Sequence, residues 1–186
     1  MSGWRSKIWV IAAVVVFAGC HRTAPQRPTQ RTSEPPQADS AVINLLEVNH
    51  RMAIEADRVL MEMVDSLNRA TGREFAQLPR GGWVSKRTKE DLKKYRYEDT
   101  PRFNEKWRVR IRTKRLDGTL LSDTESTYTI KKYEMPISVE DAVEEMCAGE
   151  TQIVLAPWYA AYGIHGEGAV AGYENVIFEV CLHEKL

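Results

Sequence analysis

The chain is short of cysteine, of histidine and of any excess charge, and each shortage removes a class of protein. Three cysteines in 186 residues are too few for a disulfide scaffold, and an odd number cannot all pair within one chain. The 26 Lys and Arg residues equal the 26 Asp and Glu residues. There is no basic field for nucleic acid and none of the acidic mass of a disordered chain. His21, His50, His165 and His183 have no Cys or second His at a ligand interval, so neither a metal site nor a cofactor is expected. No Ser, His and Asp arrangement and no phosphate-binding loop stands out. The length fits one globular domain with accessories.

Long apolar runs are scarce as well. One stretch, Ile8 to Ala18, follows Arg5 and Lys7 and ends at Gly19 and Cys20. Its eleven residues are too few to cross about 30 Å of hydrocarbon, so 1–19 reads as a secretory signal. Phe17-Ala18-Gly19-Cys20 resembles a bacterial lipobox, which implies cleavage before Cys20 and lipid attachment to its thiol. The alternative is an ordinary signal with an incidental cysteine. Acyl chains on Cys20 would anchor the protein at roughly 0.8 kcal/mol per buried methylene. Residue 21 is His, not the Asp that favours inner-membrane retention in such lipoproteins, so an outer-membrane lipoprotein facing the periplasm is expected. Residues 20–38 hold four of the eight prolines and no large apolar side chain, the composition of an extended tether. Removing 1–19 leaves 24 basic against 26 acidic residues, a nearly neutral mature chain.

Beyond the tether, Leu45, Met52, Ala56, Val59, Met63 and Leu67 recur at helical spacing before Gly72. The spacing predicts a long amphipathic helix over 39–72, of which the stretch 39–70 is about 48 Å at 1.5 Å per residue. Its stripe needs a partner, either its own domain or a second copy in a homodimer through 39–70. Asn49 falls in that seam. Residues 86–105 carry twelve charges of mixed sign, the pattern of a solvated loop or edge. Trp107, Val109 and Ile111 alternate with Arg108, Arg110 and Arg112, a half-buried strand with a basic outer face. Asp117-Gly118 turns the chain, and Ser126 to Lys131 reads as the return strand.

Ser138 and Asp141 form a capping-box pattern before a short helix with Val139, Ala142, Val143 and Met146 on one face. Thr151 to Ala156 and Glu174 to His183 read as strands, the second with Val176, Phe178, Val180 and Leu182 on one face. A glycine-rich loop joins them. The expected fold class is α+β, a mainly antiparallel sheet wrapped on a short helix, over 75–186. Cys147 and Cys181 read as core thiols, with one disulfide as the alternative.

The C-terminal half carries a combination of features: Met146, Gly149-Glu150, Ile153-Val154-Leu155, Pro157, Ala161-Tyr162-Gly163, Gly166, Gly168 and Val176-Ile177-Phe178-Glu179-Val180. With Leu116-Asp117-Gly118-Thr119 and Gly81-Gly82-Trp83-Val84, this resembles the FKBP-type peptidyl-prolyl cis-trans isomerases over about 81–186. Lipidated, gliding-motility-type members with an N-terminal helix are similar. The resemblance implies proline-containing polypeptide clients and no cofactor. It implies Tyr162 as the hydroxyl donor and Phe178 as an aromatic wall, both catalytic, with Val170, Tyr128, Val139, Leu121 and Ile137 binding substrate. The sequence departs from the family pattern where Val139 replaces the aromatic floor, Ile111 a Tyr, Leu121 a Phe and Ser122 an Asp. Pro136, which has no N–H, stands where a backbone donor is usual, unless Ile137 is the true match. These departures point to a weakened isomerase that assists folding or to a non-catalytic chaperone or binding module, with an envelope assembly subunit as a third reading.

Overall fold

The computed structural model describes residues 40–95 and 100–186. The signal, Cys20 and the tether lie outside the described residues. In chain order the elements are α1 (Ser40–Thr71), β1 (Phe75–Gln77), β2 (Trp83–Ser85), α2 (Asp91–Lys94), β3 (Lys106–Arg115) and β4 (Leu120–Thr129). They continue with α3 (Ile137–Val143), β5 (Thr151–Ala156), a 3-10 turn (Trp158–Ala160) and β6 (Val176–Lys185). The strands form one antiparallel sheet in the order β1-β2-β5-β6-β3-β4. This is the expected α+β architecture with a long helix ahead of it.

The core lies between the sheet and α3. Val176, Phe178, Val180 and Leu182 are fully buried on one face of β6, beside Val109 and Ile111 of β3 and Val154 of β5. The two-residue period of a strand puts them there. Val139, Ala142, Val143 and Met146 close the other side, where helical spacing gathers them on one stripe.

The structure corrects three expectations. The capping box does not form: Pro136 caps α3 without a side-chain bond. Ser138 is instead buried and donates to the Ala160 carbonyl at 3.0 Å, while Asp141 accepts from Arg80. The return strand begins at Leu120 and ends at Thr129. It is the sheet's edge, and its middle residues are exposed on both faces, so no apolar alternation marks it. A short strand, Phe75–Gln77, precedes the strand Trp83–Ser85 that holds the end of the Gly81-Gly82-Trp83-Val84 segment, where the resemblance begins.

Helix α1 packs on its own domain near its middle, burying Ala56 and Leu60. Asn49 Oδ1 accepts the Tyr173 hydroxyl at 2.7 Å, and Asp57 accepts the Tyr159 hydroxyl at 2.6 Å. Val42, Ile43, Leu45, Leu46, Ile54 and Met61 remain exposed. Among the described residues no helix is long and apolar enough to cross a membrane. Cys147 is buried at the end of the α3 segment, where its Sγ accepts from Arg87 at 3.6 Å, whereas Cys181 lies on the other face of β6 from Phe178.

The basic outer face of β3 is neutralised row by row. Arg110 and Arg112 meet Asp123 of β4, and Arg112 and Lys114 meet Glu179 of β6. Hydrogen bonds from Arg110 hold the Asp123 carboxyl at about 2 instead of 3.8. Lys185 and the Arg102 N–H hold Glu105 at about 2 instead of 4.5. A carboxylate whose value is lower when folded contributes stability above its unfolded value and loses it as pH falls. The urea midpoint is therefore expected to fall as pH drops from about 4.5 toward 2, in the window those shifts span. In Asp123→Asn plus Glu105→Gln the slope should flatten, which urea titrations across that range will show.

Candidate functional site

A cleft of about 620 Å³ opens between β3, β4 and the loops at the ends of α3 and the 3-10 turn. Ile111 and Thr113 reach it from β3, and Ser122, Thr124 and Tyr128 from β4. Thr113 pairs with Ser122, and Lys114 with Leu120, so the register slips by one residue. Such a bulge re-aims a side chain, and here Leu121 joins Ser122 in the cleft wall. Tyr133, Glu134, Met135 and Pro136 form the opposite rim.

Tyr162 follows the 3-10 turn. Its hydroxyl shares a hydrogen bond with Thr113 at 3.2 Å, and its ring meets Phe178 edge-on at 5.8 Å. Thr113 is buried on the strand, so the phenol oxygen is pinned from one side. When Thr113 donates to that oxygen, the Tyr162 proton is free for an acceptor in the cleft. Burial pushes the Tyr162 phenol above its ordinary value of 10.0, against the Thr113 bond and helped by Glu167. Tyr128 is raised too, by burial and then by Tyr162 and Glu167. Both hydroxyls are neutral donors through the physiological range.

The loop after Tyr162 folds back on itself: Glu167 and Val170 exchange backbone hydrogen bonds, and the Tyr173 N–H reaches the Gly163 carbonyl at 3.1 Å. Gly166 permits this. Its φ is +68°, and a Cβ there would sit 2.2 Å from the Val170 carbonyl oxygen. The result is a fixed wall with Val170 facing the cleft.

The structure thus brings Tyr162, Val170, Tyr128 and Leu121 together around one space. Phe178 is fully buried behind Tyr162 and supports its ring from the core. Val139 is also fully buried, under α3, and does not line the cleft. Ile137 is the first residue of α3, 36% exposed, beside the lining Pro136 but outside the lining set. Tyr133, Tyr159, Thr113, Glu134 and Glu167 line the cleft without having been singled out by motif. Tyr133 has φ 57°, and no residue pattern announces a tyrosine in that conformation. Among the described residues no group of His, Cys, Asp and Glu is placed to hold a metal ion.

A six-stranded antiparallel sheet backed by one short helix, with a tyrosine-walled cleft, defines the class of domain: a single-sheet α+β fold. The comparisons agree. A family model described as FKBP-type peptidyl-prolyl cis-trans isomerase matches residues 98–183. A peptidyl-prolyl cis-trans isomerase from Pseudomonas syringae pv. tomato superposes with TM-score 0.54 at 17% identity, covering 72% of this chain and 95% of that one. The structure of the three FKBP domains of wheat FKBP73 superposes with TM-score 0.53 at 18% identity, covering 61% of this chain and 51% of that chain's length. No curated protein matches the sequence. Over residues 98–183 the chain is thus similar to the FKBP-type peptidyl-prolyl cis-trans isomerases, and the two superpositions show the same fold.

Proposed function

We propose that this chain is a lipid-anchored periplasmic peptidyl-prolyl isomerase of reduced activity that assists the folding of proline-containing clients. The observation that carries the activity is the Tyr162 hydroxyl, pinned by Thr113 at the wall of the cleft. Rotation about an X-Pro bond crosses a barrier of about 18–20 kcal/mol because amide resonance is lost at the twisted midpoint. The planar amide is the more polar form, so a cleft poor in water disfavours it more than the twisted one. Tyr162 would donate to the substrate carbonyl, and Val170, Leu121 and Ile111 would flank the proline ring. Ile137 stands at the start of α3, where backbone N–H groups lack intrahelical acceptors. Its N–H replaces the donor that Pro136 cannot supply.

Reduced activity is supported by Val139, which stands buried at the position where the resemblance places an aromatic floor for the proline ring. Anchoring and location rest on the lipobox-like segment ending at Cys20 and on His21. The test is a refolding reaction limited by prolyl isomerisation, run with the full chain purified in mild detergent. Acceleration that grows with protein concentration is expected. A rate equal to the uncatalysed one at every concentration would remove the enzyme reading.

A second reading, a dimeric holdase joined through α1, is favoured by the exposed apolar side chains from Val42 to Met61. Sedimentation showing only monomer at high concentration would remove it.

A further inference from the structure

The walls of the cleft have a composition that the isomerase chemistry does not require. Four tyrosine rings line it, Tyr128, Tyr133, Tyr159 and Tyr162, together with two carboxylates, Glu134 and Glu167, and no Lys or Arg. The whole chain carries equal numbers of cations and anions, so this is a local imbalance. The cations of the flanking segments are already engaged. Arg80 is held by Asp141 and Glu140 and lies over the Tyr133 ring at 5.4 Å, Lys131 is held by Glu144, Lys132 lies over Phe103 at 5.3 Å, and Arg115 is held by Glu174, so Tyr128, Tyr159 and Tyr162 are the rings left to meet an incoming cation. Glu134 uses one oxygen to accept the Thr129 N–H at 2.7 Å, which orients the carboxylate on the rim. Glu167 is exposed, on a loop fixed by its two backbone bonds to Val170. The field of both carboxylates reaches the Tyr128 hydroxyl, and that of Glu167 reaches Tyr162.

Aromatic faces attract cations through the ring quadrupole, and a concave wall of one charge sign focuses its field on what enters. We propose that the cleft selects X-Pro segments carrying Lys or Arg beside the proline. This rests on the reading of the cleft as a prolyl-peptide site and specifies which peptides it takes. An acidic residue at the same place meets two carboxylates, with no Lys or Arg among the lining residues and Arg80 already paired with Asp141 and Glu140. A cation-ring contact and a partly exposed ion pair together give a preference of about tenfold for Lys-Pro over Glu-Pro at low salt.

The experiment measures binding by NMR shift titration and isomerisation by exchange spectroscopy for short peptides with Lys, Leu or Glu before Pro. The full-length chain is used at low and at 1 M salt. The expected order of affinity is Lys, Leu, Glu, and the Lys-to-Glu ratio should shrink severalfold at high salt, where the screening length is about 3 Å. In Glu134→Gln plus Glu167→Gln the ratio should collapse toward one, with circular dichroism showing a folded chain. Equal affinities for the Lys and Glu peptides, or a ratio indifferent to salt, would overturn the proposal. The salt series on the unaltered protein decides it even if the double variant does not fold. Isomerisation without the ranking would leave the enzyme reading standing and sink the selectivity. Ranking without isomerisation would sink the enzyme reading and leave a basic-peptide binding cleft.

Discussion

Tyr162→Phe is expected to lower the catalysed isomerisation rate about tenfold, the effect of one hydrogen bond that strengthens on the way to the transition state. Phenylalanine keeps the edge contact with Phe178 and the shape of the wall, so the loss isolates the hydroxyl. Tyr162→Ala removes the wall as well and should cost about a further tenfold. Thr113→Val tests the support from behind. It leaves the Tyr162 hydroxyl without its 3.2 Å partner, and its rate should fall between wild type and Tyr162→Phe. Because the Tyr162 phenol is held above 10.0 by burial, the catalysed rate should be flat through neutral pH and fall only above pH 10. Refolding assays on the three variants and a pH series on the wild type will decide. A Tyr162→Phe rate equal to that of wild type would take the donor role from this residue.

The largest stability effect is expected at Glu150. Its carboxylate is almost fully buried and holds four donors: Arg87 Nε at 2.9 Å and Nη2 at 2.8 Å, the Cys147 N–H at 2.8 Å and Gln152 Nε2 at 2.6 Å. Removing it takes the counter-charge from a guanidinium that is itself mostly covered, leaving it the Glu145 carbonyl and the Cys147 sulfur, and leaves a buried N–H unpaired. Breaking such a pair costs about 3–5 kcal/mol. For a domain of this size Glu150→Ala should lower the melting temperature by roughly 10–15 °C, at about 3 °C per kcal/mol. The damage should be shared and not additive. Arg87→Met with Glu150→Met removes both charges and should be less harmful than either single change to alanine. Calorimetry showing that Glu150→Ala melts within a few degrees of wild type would mean that the network does not brace the α3–β5 junction.

Glu150 also shows how far sequence reading reaches. Gly149-Glu150 stood out as part of a family pattern, but its purpose was illegible because its partner Arg87 lies 63 positions away. Strand β6 was legible because one of its faces is wholly buried and every second residue had to be apolar. Strand β4 was legible only at its end, since an edge strand exposed on both faces carries no such signal. Ser138 and Asp141 had the right types at capping distance, yet each found a stronger distant partner in Ala160 and Arg80.

From the amino-acid order alone came the α+β class, the long first helix, the apolar faces of β3, β5, β6 and α3, and the family likeness that singled out Tyr162. Those features follow from local periodicity and short-range motifs, which the chain expresses wherever it folds. Only the tertiary structure decided that Phe178 and Val139 stand behind the cleft, that a one-residue slip in β4 turns Leu121 into it, and that Tyr133, Tyr159, Glu134 and Glu167 complete its rim. The reason is physical: a cleft is made where segments distant in sequence converge, and the direction of a side chain there depends on register, bulges and packing that no single segment encodes.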